Sequence, residues 1–155
     1  MTSKGKSLLD ACKAGKLSEA KKLVSVGANL NYAVPSSQYT PLMAAIEYNQ
    51  PEIINWLLDK DTVDVDRQNR WKNTALHYAA KYSKDGVMVA RLGNRMKKDT
   101  LNMLNQDGKT AVILAVKGDG GNVRALQGLL SIKFVDFKIQ DKHGRSPLDI
   151  ARLVI

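Results

Sequence analysis

The apolar residues of this chain fall into short stretches with helical spacing, and these stretches come in pairs. In residues 8–12 and 17–24 apolar side chains recur three and four positions apart, which predicts two amphipathic helices separated by Gly15. Residues 53–58 show the same spacing directly after Pro51, a residue that favours the first turn of a helix. The pattern therefore predicts pairs of short helices joined by glycine and proline turns.

One seven-residue motif recurs through the chain at nearly constant spacing. It reads TALHYAA from Thr74, and its equivalents start at the positions Lys6 (KSLLDAC), Thr40 (TPLMAAI), Thr110 (TAVILAV) and Ser146 (SPLDIAR). The steps between these starts are 34, 34, 36 and 36 residues. A period in the low thirties is typical of stacked repeats, in which each unit buries its apolar face against its neighbours. We therefore predict a single domain over residues 1–155, with units starting near residues 6, 40, 74, 110 and 146, the last one incomplete.

The motif makes the family resemblance specific. TALHYAA, followed by an apolar second helix and then a turn with Asn or Asp, resembles the ankyrin-repeat family over almost all of the chain. The resemblance implies an all-α solenoid of helix-turn-helix units with short hairpin-like turns, about four full repeats and a partial fifth. It also implies that His77 ties down the backbone of an adjacent turn, and that function resides in variable surface residues.

Two units depart from the regular spacing. Between Tyr82 and Leu101 the third unit is two residues longer, and the segment Gly93–Lys98 stands where a plain glycine turn is expected. The second helix of this unit is therefore predicted to begin late or to extend, with its boundaries in 83–101 left open. The fourth unit is also two residues longer, and its glycine-rich segment 118–122 is predicted to be a turn.

Composition limits the cellular setting. Cys12 is the only cysteine, so no disulfide can form within the chain, and no Asn-X-Ser/Thr acceptor for glycosylation is present. The longest apolar run, residues 111–116, is far shorter than the roughly 20 residues that span a bilayer. We expect a cytoplasmic or nuclear protein that does not enter membranes, with Cys12 packed in the interior.

The sequence gives no support for an enzyme. It contains no paired carboxylates, nucleophile and base, or metal-ligand spacing that suggests catalysis, so no cofactor, metal or small-molecule substrate is expected. Gly108-Lys109-Thr110 resembles the end of a phosphate-binding loop. That loop also needs a glycine five residues before Gly108, where this chain has Met103. Nucleotide binding is therefore not predicted.

The ankyrin resemblance implies a concave surface, formed by the turn tips and by the ends of the first helices. On it we count eight Lys or Arg (Lys13, Arg70, Lys72, Lys81, Lys109, Lys117, Lys142, Arg145) against two acids (Glu47, Asp107), whereas the whole chain has 24 against 15 and a net charge of +9. Aromatic residues cluster in the second and third units, and aromatic side chains beside arginine are typical of interface hot spots. The predicted partner-binding residues are Tyr39, Glu47, Tyr48, Arg70, Trp71, Lys72, Lys81, Tyr82, Lys109, Lys117, His143 and Arg145.

Together these features favour a non-catalytic protein-protein interaction module, a monomer acting as scaffold, adaptor or regulatory domain that binds an acidic protein or peptide. One alternative is a basic surface that contacts nucleic acid, for example within a nuclear transcription-regulating complex. It is disfavoured because the aromatics do not interleave with basic residues along a groove. A second is that the lysines only keep the solenoid soluble. The surroundings of Asn31, with Leu30 before it and Leu23 eight residues back, also resemble ankyrin asparagines that are modified by an asparaginyl hydroxylase.

Overall fold

The computed structural model describes residues 3–117 and 121–153, which form helices joined by turns. No β-strand is present in these two ranges. The helices are α1 (Lys4–Lys13), α2 (Leu17–Ser25), α3 (Pro41–Glu47), α4 (Pro51–Leu58), α5 (Ala75–Tyr82), α6 (Gly86–Arg95), α7 (Lys98–Leu101), α8 (Ala111–Lys117), α9 (Val123–Leu130) and α10 (Pro147–Arg152). The all-α solenoid predicted from the sequence is confirmed.

The Thr or Ser that opens the last four motifs works as a helix cap. The hydroxyl oxygen of Thr40 accepts a hydrogen bond from the backbone N–H of Met43 at 3.2 Å. Ser146 accepts in the same way from Asp149 at 3.2 Å, and the Asp149 carboxylate accepts in return from the Ser146 backbone N–H at 2.8 Å. Such bonds satisfy donors that the first helical turn leaves without a partner. The local sequence thus fixes where these first helices begin.

The first helix of each unit stacks against the first helix of the next. Helices α1, α3, α5, α8 and α10 contact one another in chain order, and α2, α4, α6 and α9 each lie against the first helix of their own unit. The leucine or valine of the motif is buried at the centre of the stack in four units: Leu8, Leu42, Leu76 and Val112 are all between 0% and 2% exposed. The corresponding Leu148 in α10 is 58% exposed.

Glycine lets the second helices of the third and fourth units approach closely. A Cβ atom placed on Gly128 would lie 2.3 Å from the Gly86 carbonyl oxygen, and one on Gly86 would lie 2.4 Å from the Arg124 carbonyl oxygen. Any side chain at either position would push the two backbones apart. The pair α6 and α9 therefore depends on glycine at both positions.

The structure gives the helix boundaries in residues 83–101 that the sequence left open. Helix α6 continues through Gly93 to Arg95, and only Met96 and Lys97 separate it from α7. Gly93 is buried, and a Cβ atom there would lie 2.2 Å from Cδ1 of Ile132, so this glycine makes room for a neighbouring unit rather than for a turn. The Arg95 guanidinium donates to the carbonyls of Leu58 at 2.8 Å and Lys60 at 3.0 Å, which binds the segment to the second unit.

Within the described part of the chain, none of the helices has the length and apolar character needed to cross a membrane.

Candidate functional site

Three turns between units share one hydrogen-bond arrangement. The side chain of Asn69 accepts from the backbone N–H of Trp71 and of Asn73, both at 3.0 Å. Asn105 accepts in the same way from residues 107 and 109 at 3.0 Å, and Asp141 from residues 143 and 145 at 2.9 and 3.0 Å. A side-chain oxygen that bonds the backbone two and four residues ahead fixes the shape of the turn. The three tips are therefore copies of one conformation.

Neighbouring tips are also joined to each other. The backbone N–H of Arg70 donates to the Ser37 carbonyl at 2.8 Å, and that of Gln106 donates to the Trp71 carbonyl at 2.9 Å. These bonds occupy the same place in successive units. They hold the tips of the second, third and fourth units side by side.

The fourth residue of each tip has a left-handed backbone. Its φ is 57° at Gln38, 58° at Lys72, 72° at Gly108 and 74° at Gly144. This conformation is easy for glycine, whereas it costs other residues roughly 1–2 kcal/mol. The second and third tips therefore carry backbone strain that the later tips avoid.

Replacing Lys72 with glycine is expected to raise the free energy of unfolding by roughly 0.5–1 kcal/mol, because the gain in backbone energy exceeds the entropy that glycine adds to the unfolded chain. Chemical denaturation measures the change. The matched control is Gly108→Ala at the same position of the next tip, which should lose about 1 kcal/mol. A destabilised Lys72→Gly protein would contradict this explanation.

A groove lies between the first helices of the third and fourth units and the tips above them. Its volume is about 410 Å³, and six of the twelve predicted binding residues line it. The lining residues are Glu47, Trp71, Asn73, His77, Tyr78, Lys81, Tyr82, Asn105, Asp107, Lys109, Leu114 and Lys117.

Tyr78 and Tyr82 line this groove, and Tyr39 lies next to them. The rings of Tyr39 and Tyr78 meet edge to face with centroids 5.7 Å apart, and the rings of Tyr78 and Tyr82 stack at 6.2 Å. The Tyr39 hydroxyl donates a hydrogen bond to Oε2 of Glu47. Burial is the main cause, and the charge of Glu47 the second, of a rise in the pKa of Tyr78 to about 12. Burial and the hydrogen bond to Glu47 raise the pKa of Tyr39 even more. Both phenols are therefore neutral near pH 7.

His77 forms the floor of the groove and is a structural residue. Its Nδ1 accepts from the backbone N–H of Thr74 at 3.1 Å, so Nε2 carries the proton and donates to the Lys109 carbonyl at 3.1 Å. Burial lowers the pKa of His77 to about 4, which keeps the ring neutral near pH 7. This confirms the role in an adjacent turn that the family resemblance implies.

Three lysines supply positive charge around the groove. The Lys81 ammonium lies 4.8 Å from the centre of the Tyr82 ring, and the Lys109 ammonium lies 3.6 Å from a carboxylate oxygen of Asp107. Lys117 is exposed at the end of α8. Within residues 3–117 and 121–153, neither Lys81 nor Lys117 makes an ion pair, so each can meet a carboxylate from another molecule.

The other six predicted residues lie outside the groove. Tyr39 is adjacent through Glu47, and Tyr48 is exposed with the Lys13 ammonium 4.6 Å from its ring centre. Arg70 and Lys72 are exposed on the third tip, and His143 is exposed on the fifth.

Arg145 belongs to the fifth turn itself. Its Nε and Nη2 both donate to Oδ2 of buried Asp141, at 3.0 and 2.7 Å. These bonds hold the pKa of Asp141 well below its usual range. The guanidinium is thus occupied by two charge-assisted bonds to one carboxylate oxygen within its own turn.

Six lining residues were absent from the predicted set: Asn73, His77, Tyr78, Asn105, Asp107 and Leu114. Tyr78 and Leu114 share one position, the fourth after the opening Thr of their motifs, and that shared position could have identified both. On the helices, the prediction covers only the ends of the first helices. Residues 118–120, which belong to the predicted turn at 118–122, lie outside the described residues.

Asn31 lies in the loop that follows α2. Its Nδ2 donates to the Thr62 carbonyl at 2.7 Å, and its Oδ1 accepts from the Asp64 backbone N–H at 2.7 Å. Asn102 binds the following loop in the same manner, through Phe134 at 2.8 Å and Asp136 at 2.7 Å. Both ends of the Asn31 amide are therefore used to connect one unit to the next.

In the described ranges, no three His, Cys, Asp or Glu side chains come together as a metal site would require. Cys12 is buried as expected, and burial raises the pKa of its thiol to about 12. A thiol in this state is a poor nucleophile.

Comparison with known proteins agrees with this architecture. The chain is 30% identical over 112 residues to Protein lin-12 of Caenorhabditis elegans, covering 72% of this chain and 8% of that protein. It is 30% identical over 156 residues to Putative ankyrin repeat protein FPV031 of Fowlpox virus (strain NVSL), covering 93% and 42%, respectively. It is 28% identical over 137 residues to Putative ankyrin repeat protein R664 of Acanthamoeba polyphaga mimivirus, covering 85% and 78%. The chain thus spans less than half the length of the first two.

The family model for three copies of the ankyrin repeat matches residues 8–92, more than half of the chain. This range starts within α1, includes α2 to α5 and ends within α6. Ankyrin repeats are in general protein-protein interaction modules and are typically non-catalytic. The repeated capped helices, the stacked core and this match together show that the chain belongs to the ankyrin-repeat family.

Proposed function

We propose that this chain is a non-catalytic binding module and that the groove over α5 and α8, on the concave face, takes an acidic segment of a partner protein. The observation that carries this proposal is the convergence of three lysines (Lys81, Lys109, Lys117) with Trp71, Tyr78 and Tyr82 on one groove of about 410 Å³. Lysine ammonium groups attract carboxylates over a distance, while rigid aromatic rings supply contact area at little entropic cost.

We expect the aromatic and the basic residues to play different parts in binding. Trp71 is 48% exposed on its tip, so an incoming segment can bury its ring. Lys81 and Lys117 are exposed at the ends of their helices. The aromatic residue should therefore hold the bound partner, whereas the two lysines should speed its arrival.

Trp71→Ala is expected to raise the dissociation rate of the partner, at a cost of roughly 1–3 kcal/mol in binding free energy. Lys81→Ala and Lys117→Ala are expected mainly to slow association and to weaken its dependence on salt. The partner is first captured from the source cells with the wild-type protein and identified by mass spectrometry, and surface plasmon resonance then gives both rates.

Two matched controls lie elsewhere on the surface. Phe134 is 47% exposed, almost as much as Trp71, and lies between the ammonium groups of Lys98 and Lys133 at 5.2 and 5.3 Å from its ring centre. Phe134→Ala and the exposed α2 variant Lys21→Ala should leave both rates unchanged. Loss of binding in Phe134→Ala with normal binding in Trp71→Ala would move the site to the surface around Phe134 and overturn the proposal.

Contact with nucleic acid is the alternative function for the positive charge of these lysines. The mobility of labelled DNA and RNA at two salt concentrations tests it, because binding that comes only from phosphate contacts weakens steeply as salt rises. Nucleic-acid binding that persists at physiological salt and is lost in Lys81→Ala would favour this alternative.

Modification of Asn31 stays a prediction. The amide bonds to Thr62 and Asp64 mean that an asparaginyl hydroxylase must open this loop before it can reach the side chain. Mass spectrometry of the Asn31 peptide from protein made in its native cell decides the question, and a wholly unmodified peptide would remove the prediction.

A further inference from the structure

The groove carries opposite charges at its two ends. Glu47, Lys81 and Lys117 occupy the same position at the ends of α3, α5 and α8, and all three line the groove. At the ends of these helices, the second unit thus presents a carboxylate and the third and fourth units present ammonium groups, while Asp107 on the fourth tip is paired with Lys109. A partner that is acidic throughout would match only part of this surface.

The surroundings of Glu47 suit a positively charged group. The Tyr39 hydroxyl donates to Oε2 and orients the carboxylate. Its other oxygen, Oε1, accepts no hydrogen bond from the described residues, and the Lys13 ammonium lies over the Tyr48 ring without forming an ion pair with Glu47. The aromatic rings of Tyr39 and Tyr78, which pack edge to face, lie beside the carboxylate. A carboxylate next to aromatic rings attracts lysine or arginine through both charge and cation-π contacts.

We propose that the groove recognises the order of charges in an extended segment, with a basic residue over Glu47 and acidic residues over Lys81 and Lys117. This inference rests on the proposed function and specifies the segment that would bind. Glu47 acts as the specificity-determining residue, because it rejects an acidic side chain at the position where it accepts a basic one.

The dimensions of the stack set the spacing of these residues. Neighbouring packed helices lie roughly 10 Å apart, which is about three residues of an extended chain at roughly 3.3 Å each. The basic residue should therefore be followed or preceded by acidic residues about three and six positions away.

Selection from a random 12-residue peptide library displayed on phage tests this inference. Panning is carried out in parallel on the wild-type protein, on Glu47→Gln and on Trp71→Ala. Glutamine keeps an oxygen that can accept from Tyr39, so Glu47→Gln removes the charge with little change of shape. Peptides selected on the wild type should combine a basic residue with acidic residues at the stated spacing, and peptides selected on Glu47→Gln should keep only the acidic ones.

A representative peptide then gives the size of the effect. Exchanging its basic residue for glutamate should weaken binding to the wild type by about tenfold, and binding to Glu47→Gln by less than about threefold. Fluorescence anisotropy measures the dissociation constants, and thermal melts of each variant confirm that it is folded.

The outcomes separate the inference from the function on which it rests. If the selected peptides depend on Trp71 but are acidic at every position, or if the basic residue is still selected on Glu47→Gln, the order of charges is wrong and the acidic-partner groove stands. If no peptide is enriched, or if the peptides bind Trp71→Ala as tightly as the wild type, the groove is not the binding site and both proposals fail.

Discussion

Replacing Leu76 with alanine is expected to lower the free energy of unfolding by roughly 2–5 kcal/mol, the usual cost of removing a large apolar side chain from a closed core. Leu76 is 1% exposed and belongs to α5, which contacts α3 on one side and α8 on the other. The cavity left by the substitution would therefore disturb the middle of the stack. Denaturation in urea, followed by circular dichroism, gives the change.

Leu148→Ala is the matched control for this experiment. Leu148 stands at the same motif position in α10 but is 58% exposed, so its loss should cost less than about 1 kcal/mol. Both substitutions exchange leucine for alanine inside a helix, so a difference in helix propensity cannot explain a difference between the two variants. Equal costs for the two variants would show that stacking does not determine the stability of this core.

Acidification from pH 7.5 to pH 5 is expected to lower the free energy of unfolding by about 2 kcal/mol through His77 alone. The folded protein binds this proton only below a pKa of about 4, whereas the unfolded chain binds it below the ordinary value of 6.5. Between these values the unfolded state holds more protons, so falling pH favours unfolding. The stabilisation is complete above pH 6.5 and is lost as the pH falls towards 4.

Two histidine variants isolate this effect. His77→Gln removes the titrating group, so its stability should be lower than that of the wild type at pH 7.5 but should change less towards pH 5. His143 is exposed on the fifth tip, and His143→Gln should keep the full dependence of the wild type. A wild-type stability that is flat over this range would mean that the imidazole is solvated in the folded protein.

Most of the predictable features of the fold follow from local sequence signals. The Thr-Pro and Ser-Pro starts act through bonds to residues three positions away, and the buried Leu and Ala positions follow helical spacing within seven residues. Because the same short pattern is repeated, its period also predicts which helices stack. Such features need no knowledge of distant contacts.

The helix boundaries around Gly93 could not be fixed from the sequence, for the opposite reason. Glycine followed by Asn and Arg is typical of a turn after a helix, yet this glycine lies inside α6 because Ile132 of another unit fills the space beside it. The partners of Arg95 are likewise carbonyl groups of the second unit. Contacts between residues more than thirty positions apart determine the structure at both positions, and local helix propensity carries no information about such contacts.

The sequence predicted which residues reach the surface of the candidate site better than it predicted their contacts. The motif positions identified Trp71, Lys81, Tyr82 and Lys117 as surface residues, because the register of the repeat fixes which side chains leave the stack. Tyr78 lies in the middle of α5, so it falls outside the helix ends to which the prediction was limited. The pairing of Arg145 with Asp141 depends on the turn geometry, and that geometry appears only once the chain is folded.

The side-chain bonds inside the turns have a consequence for the thermodynamics of association. Asn69 and Asn105 fix the backbone on either side of the groove, and the bond from Gln106 to Trp71 joins the two tips, so the ring of Trp71 projects from a frame that is already ordered. The module therefore loses little conformational entropy when a partner binds. Most of the ordering cost falls on the extended segment, and changes that stiffen that segment should increase affinity more than changes that stiffen the tips.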